Sequence, residues 1–106
     1  MSLSNLELLK HIADEINFVL QATKNKDKET VINNAVLSRA VVWSLEIIGE
    51  ASNKLDPDFK SAHPEIEWHK IVGTRNRLIH VYFGVDYDIV WDIITNKLSE
   101  MLDFLE

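Results

Sequence analysis

The chain has 106 residues, 46 % of them hydrophobic, and a net charge of −6 from 17 acidic and 11 basic side chains. This length supplies one hydrophobic core, so we expect a single domain over residues 1–106. The absence of cysteine excludes disulfides and thiolate metal sites, and the acidic balance argues against nonspecific coating of nucleic acid.

The composition favours helices, because there are only three glycines and two prolines among abundant Leu, Ile, Glu and Lys. We therefore expect an all-α fold. The N-terminus lacks a basic region followed by a long apolar run, and no stretch reaches the roughly 18 apolar residues of a membrane span. These patterns predict a cytoplasmic protein without a membrane anchor.

A first helix is predicted from the capping box at Ser4 and Glu7, where each side chain can satisfy the other residue's backbone N–H. The helix should end near Thr23, before a charged stretch, residues 24–29, that predicts a solvated loop. Its buried stripe repeats at helical spacing and consists of Leu9, Ile12, Ala13, Ile16, Val19 and Leu20.

A second helical stretch is predicted from about Glu29 to Leu55. Proline disfavours helical geometry in the residue before it, so Asp56-Pro57 should end this stretch. Asn33-Asn34 can divide it into a short helix and a long one. The core candidates are Val31, Ile32, Ala35, Val36, Leu37, Val41, Leu45, Ile48 and Leu55.

The long helix carries apolar residues on more than one face, including Val42, Trp43 and Ile47. Such a helix is either central or covered by a second chain, so these residues favour a dimer. Gly49 is costly in a helix interior and predicts close approach of another backbone. Glu50 beside it can point either inward or to solvent.

The segment after Pro57 should be anchored to the core by Phe59 and continue as an extended connector over residues 63–67. His63 and His69 are six residues apart without a third ligand nearby, so we expect no metal site. The next helix should cover about Trp68 to Tyr82. After a short link, the last helix should bury Ile89, Val90, Ile93, Ile94, Leu98, Met101, Leu102 and Leu105, and Trp91 is either core or dimer surface.

The candidate chemistry lies in residues 73–82, which contain two arginines and no acidic residue in an otherwise acidic chain. This local excess of positive charge suggests an anion site. His80 can act as a general base or acid near neutral pH, and Arg75 offers a forked donor to phosphate oxygens. Asn76 and Tyr82 add hydrogen-bond donors, and Arg77 adds an auxiliary phosphate contact. Such residues suit metal-free cleavage of RNA, although ordinary surface arginines and a lone histidine give the alternative interpretation.

Helical geometry divides this stretch. At roughly 100° per residue, Asn76, Arg77 and His80 lie on one side, whereas Arg75 and Tyr82 lie on the other. Arg75 and His80 then share a pocket only if the helix bends or a second subunit completes the site. Arg75 directed towards the core would also need a carboxylate, because an unpaired buried charge is costly. Glu50 is the candidate, with Glu46 one turn earlier as the alternative.

The motif Arg75-x4-His80-x-Tyr82, with polar Asn76 after the arginine, resembles the signature of HEPN-domain ribonucleases, specifically the HepT-like toxins. The resemblance extends in order over roughly residues 31–98. Its segments are Leu45-Glu-Ile-Ile-Gly-Glu-Ala51, His63-Pro-Glu-Ile-Glu-Trp68, Ile71-Val-Gly73, His80-Val-Tyr-Phe-Gly-Val-Asp86 and Ile89-Val-Trp91.

The resemblance implies an antiparallel four- to five-helix bundle that forms a homodimer with both motifs facing a shared cleft. It also implies a metal-independent endoribonuclease toxin, without a cofactor, in a type II toxin–antitoxin pair. Its antitoxin would be a small MNT-type nucleotidyltransferase that can attach AMP to Tyr82. The alternatives are a noncatalytic module of the same fold that binds a nucleotidyltransferase or a nucleotide, and a plain structural dimer.

Overall fold

The structure is a computed structural model that describes residues 4–73 and 87–105. Every regular element in these two ranges is helical, which confirms the predicted all-α fold. None of the helices in these ranges has the length and apolar content needed to cross a membrane. The elements are α1 (Asn5–Thr23), α2 (Lys28–Asn33), α3 (Ala35–Lys54), α4 (Pro57–Ala62), α5 (68–73), α6 (Tyr87–Asp92), a π-helical turn (Ile93–Lys97) and α7 (Leu98–Leu105).

Helix α1 begins and ends where the sequence predicts. Ser4 Oγ accepts a hydrogen bond from the Glu7 backbone N–H at 3.2 Å, and the Ser4 N–H donates to Glu7 Oε1 at 3.4 Å, so the capping box is formed. At the other end, the buried Thr23 hydroxyl donates to the Val19 carbonyl oxygen at 2.8 Å. The buried stripe includes Leu8 in place of the predicted Leu9, which is half-buried.

The second helical stretch is divided at Asn34, which confirms the predicted break. Asn34 Oδ1 accepts from the backbone N–H groups of Val36 at 3.1 Å and Leu37 at 2.9 Å, and therefore caps α3. The prediction that Ala35 and Val36 are core residues is wrong, because both are exposed. The helix restarts at Asn34, and its first turn points these two side chains away from the core.

The core lies mainly between α1, α3 and α7. Asn5 at the start of α1 and Asp56 just after α3 exchange two hydrogen bonds, at 3.1 and 3.2 Å, so these two helices run antiparallel. Helix α1 also packs against α7. An ion pair between Lys28 and Asp88 joins α2 to α6. The buried hydrophobic residues are Leu8, Ile12, Ile16, Val19, Val31, Val41, Leu45, Ile48, Ala51, Leu55, Ile66, Val90, Ile94, Leu98 and Met101.

The connector between α4 and α5 differs from the predicted extended segment. The Ile66 N–H donates to the His63 carbonyl oxygen at 3.3 Å, closing a turn that buries Ile66. Pro64 suits the second position of such a turn because its ring fixes φ. Phe59 packs against the core, as predicted, and its ring centroid lies 6.3 Å from that of Trp68.

The last helix contains a π-helical turn that the sequence pattern does not reveal. The Leu98 N–H donates to the Ile93 carbonyl oxygen, which is the i→i+5 bond of a π-helix. Buried Val90, Ile94 and Leu98 are spaced by four residues, which would drift around a regular α-helix by about 40° per step. The wider turn keeps them on one side. Trp91 is half-buried and packs against the core.

Candidate functional site

The predicted catalytic motif falls in the gap between residues 73 and 87, outside the two described ranges. Arg75, Asn76, Arg77, His80 and Tyr82 lie outside the described residues. Among the described elements, α5 precedes the motif in the chain, α6 follows it, and α3 carries the proposed supporting carboxylate.

Glu50 lies on the side of α3 opposite the residues that face the core. Its side chain is 44 % exposed, and Oε1 lies 3.5 Å from Nζ of Lys54, one turn later. The carboxylate therefore does not point into the core between α1 and α3, which excludes one of the two orientations left open by the sequence. Gly49 beside it is buried in the packed side of α3.

The start of α5 is fixed by an aromatic cluster, which consists of Phe59, His63, Trp68 and Phe104. The His63 ring lies between Phe59 and Phe104, with centroid distances of 4.8 and 4.7 Å. Trp68 Nε1 donates to the His63 carbonyl oxygen at 3.1 Å. These contacts attach both the connector and α7 to the first residue of α5.

A charged group beside α5 was not among the predicted site residues. Glu67 Oε2 lies 2.5 Å from Lys70 Nζ, and Glu67 Oε1 lies 3.8 Å from Lys97 Nζ. The hydrogen bond from the Lys70 ammonium lowers the pKa of Glu67 below its ordinary 4.5 and raises the pKa of Lys70 above 10.5. The three-residue spacing of Glu67 and Lys70 could have predicted their pair, but the Lys97 contact depends on tertiary packing.

A cavity of about 170 Å³ lies behind this charged group, between α3, α5 and the last helix. Its lining is partly aliphatic and partly charged, and the charged residues are Glu65, Glu67, Lys70, Asp92, Lys97 and Glu100. The aliphatic lining residues are Leu45, Ile48, Ile66, Ile71, Ile89, Ile93, Leu98 and Met101.

His63 and His69, the two histidines considered as metal ligands, lie in different environments. His63 Nδ1 lies 3.4 Å from Glu65 Oε1, and its ring is held in the aromatic cluster. His69 is exposed. Within residues 4–73 and 87–105, no group of three His, Cys, Asp or Glu side chains is arranged to hold a metal ion.

Comparison with known proteins gives a match over nearly the whole chain. Residues 12–106 match the model of a family described as ribonuclease HepT-like. A protein of Caldanaerobacter subterraneus that carries RNase in its name is 42 % identical over 93 residues, covering 88 % of this chain and 83 % of the relative. A second with RNase in its name, from Methanocaldococcus jannaschii, is 44 % identical over 93 residues, covering 88 % and 85 %.

A protein of Thermococcus cleftensis that carries ribonuclease HepT in its name is 36 % identical over 101 residues, covering 95 % of this chain and 92 % of the relative. No solved structure matches the chain. The family match confirms the resemblance drawn from the motif and the ordered segments around it.

Proposed function

Because the chain belongs to the HepT-like ribonuclease family, we propose that it is the metal-independent endoribonuclease toxin of a type II toxin–antitoxin pair. The observation that carries this proposal is the Arg75-x4-His80-x-Tyr82 motif inside the matched range of residues 12–106. Its three positions supply the groups that cleavage of a phosphodiester beside a 2′-hydroxyl requires.

In the proposed reaction, His80 removes the proton of the ribose 2′-hydroxyl, and the 2′-oxygen attacks the adjacent phosphorus. The bond from phosphorus to the 5′-oxygen then breaks, and that oxygen takes a proton from the protonated imidazole of His80 or its copy in the second subunit. The products are a 2′,3′-cyclic phosphate and a 5′-hydroxyl. Arg75 stabilises the negative charge that grows on the non-bridging oxygens, and Asn76 orients the phosphate.

Two further residues bind the substrate in this proposal. Arg77 adds a phosphate contact from the polar side of the helix, and Tyr82 contacts the RNA. Tyr82 is also the proposed acceptor of AMP from the nucleotidyltransferase antitoxin, a transfer that uses ATP and releases pyrophosphate. The added nucleotide places a phosphate beside Arg75 and His80, so it occupies the donors that the RNA phosphate needs.

Glu50 supports the site by holding Arg75 in place. Its position on the outer side of α3, with a half-exposed carboxylate, supports this role because a guanidinium outside the core can reach it. A paired carboxylate fixes the arginine fork and compensates its charge. Glu46 lies one turn earlier on α3 and is the alternative partner.

We place the toxin in the cytoplasm as a homodimer with the two motifs at a shared cleft. The apolar outer side of α3 supports the dimer, because Trp43 is 64 % exposed there. A shared cleft also resolves the geometry of the motif, since Arg75 and His80 diverge on a straight helix and a second copy can supply the missing group.

The deciding experiment is RNA cleavage by purified protein that carries no AMP, in buffer with EDTA. The proposal expects cleavage with 2′,3′-cyclic phosphate ends, and no detectable cleavage by His80→Ala. Full activity of His80→Ala would contradict the mechanism. Tight binding of a nucleotidyltransferase without any RNA cleavage by the wild type would instead favour the noncatalytic module.

A further inference from the structure

The side of α3 that faces away from the core is apolar. Val36 is 81 % exposed and Trp43 is 64 % exposed, and Ala40 and Ile47, both half-exposed, continue the same line. We call these four residues the outer α3 face. Their spacing of four, three and four residues is the heptad spacing of a helix that packs along a second helix.

This face is distinct from the side of α3 that builds the core. Val41, Leu45 and Ile48 are buried on the opposite side, in the core that α3 forms with α1. A helix with apolar residues on both sides is expected to be covered on both. An exposed tryptophan within an apolar line is also the residue type that most often dominates binding between proteins.

Two opposite charges flank the outer α3 face on the same side. Arg39 and Glu46 are seven residues apart, which places them on one edge of the helix about 10 Å apart along its axis. Arg39 donates to the Ala35 carbonyl oxygen at 2.9 Å. Among residues 4–73 and 87–105, neither Arg39 nor Glu46 forms an ion pair.

We propose that the outer α3 face pairs with the same face of a second copy, with the two α3 helices antiparallel. In that arrangement Ala40 of one subunit meets Trp43 of the other, and Val36 meets Ile47, so each large side chain faces a smaller one. The symmetry axis then passes between Ala40 and Trp43. This inference rests on the homodimer of the proposed function and assigns its interface.

The charges support a second copy as the occupant and the antiparallel direction. Two antiparallel helices bring identical edges together, whereas parallel helices bring opposite edges together. Arg39 therefore faces Glu46 of the partner subunit only when the helices are antiparallel. The midpoint of Arg39 and Glu46 lies within one residue of the midpoint of the apolar line, so both features share one symmetry axis, as an isologous interface requires.

Charge reversal tests the pairing. Arg39→Glu or Glu46→Arg alone creates like-charge contacts and should raise the dimer dissociation constant by roughly tenfold or more, measured by sedimentation equilibrium. The two variants mixed together, or both substitutions in one chain, restore opposite charges and should recover the wild-type constant. Lys10→Glu, an exposed charge reversal on α1, is the matched control and should leave it unchanged.

Cysteine cross-linking tests the direction, since the chain has no cysteine of its own. Val36→Cys mixed with Ile47→Cys should give the mixed disulfide dimer on oxidation. Each variant alone should not cross-link, because its two copies lie about 16 Å apart along antiparallel helices. A disulfide dimer of each single variant, with no mixed Val36→Cys/Ile47→Cys dimer when the two are combined, would overturn the antiparallel arrangement.

The outcomes separate this interface from the proposed function. If the wild type is a dimer and none of the charge reversals changes its dissociation constant, the outer α3 face is not the interface, and the ribonuclease proposal is unaffected. A wild-type monomer that cleaves RNA overturns the interface and the shared cleft together. Failure of RNA cleavage by a dimer that follows the predicted charge pattern overturns only the proposed activity.

Discussion

The indole Nε1 of Trp68 donates a hydrogen bond to the carbonyl oxygen of His63 across 3.1 Å. This bond joins the first residue of α5 to the end of α4, on the other side of the turn that buries Ile66. The same tryptophan lies edge-on to Phe104 of α7, with a centroid distance of 6.3 Å. Trp68 therefore links the beginning of α5, the helix that precedes the proposed catalytic motif in the chain, to both α4 and α7.

Replacing Trp68 should separate the hydrogen bond from the packing. Trp68→Phe keeps a ring in the aromatic cluster but loses the N–H donor, and should lower the free energy of unfolding by about 1 kcal/mol. Trp68→Ala also loses the packing, and should cost about 2 to 3 kcal/mol because the residue is half-buried. Urea unfolding followed by circular dichroism measures both. Equal losses in the two variants would show that the ring packing contributes nothing.

The proposed pairing of Glu50 with Arg75 predicts that the two residues act as a unit. Arg75→Ala should lower RNA cleavage by roughly a hundredfold, as for the loss of one donor to the transition state. Glu50→Ala should lower cleavage through the position of the arginine, and the double variant should be no worse than Arg75→Ala alone. Lys54→Ala removes the described neighbour of Glu50 and is the control for a general effect on the end of α3. Losses that multiply in the double variant would show that Glu50 acts independently of Arg75.

The ion pair between Glu67 and Lys70 predicts a dependence of stability on pH. The pKa of Glu67 is lower in the folded chain than its ordinary 4.5, so its stabilisation is complete above about that pH and is lost as the pH falls through the lower folded-state value. The pKa of Lys70 is raised, so its part is complete below about 10.5 and is lost as the pH rises through the higher folded-state value.

Glu67→Gln should therefore unfold more easily than the wild type at pH 7, and the difference should shrink towards pH 3. Thermal melts at pH 7, 5 and 3 measure this. Asp103→Asn changes an exposed carboxylate that has no ion pair among the described residues, and should show no such convergence. A constant difference between Glu67→Gln and the wild type from pH 7 to pH 3 would contradict the assigned charge effect.

Local signals in the sequence were sufficient to predict the helix boundaries that they mark directly. The capping box at Ser4 and the break at Asn34 are short-range features, because a side chain satisfies backbone groups two or three residues away. Which residues of each helix face the core was less predictable. Val36 was wrongly predicted as a core residue, because a new helix begins after Asn34 and its first turn faces away from the core. The π-helical turn carries no short-range signature, since it arises from fitting Val90, Ile94 and Leu98 to one packed side.

For the candidate site, the sequence identified the residue types of the motif, and the structure gives the packing of the described residues before and after it in the chain. The residue types of the motif from Arg75 to Tyr82 suggest phosphodiester chemistry. The ribonuclease function was assigned to the motif from its resemblance to a family, and helical periodicity did not contribute. Glu50 could be named from the sequence, but its outward orientation depends on which side of α3 meets α1. The contact of Lys97 with Glu67 joins residues thirty apart and required the fold.

The buried hydroxyl of Ser52 predicts a substitution that stabilises the protein. Ser52 is fully buried in α3, and its Oγ has no hydrogen-bond partner within the described residues. Burying an unsatisfied hydroxyl costs free energy, so Ser52→Ala should raise the free energy of unfolding by about 1 kcal/mol. Ser38→Ala is the matched control on the same helix, because the buried Ser38 hydroxyl donates to the Ala35 carbonyl oxygen at 3.4 Å and its loss should bring no gain. Urea unfolding of both variants measures this effect, and a lower stability of Ser52→Ala than of the wild type would contradict the prediction.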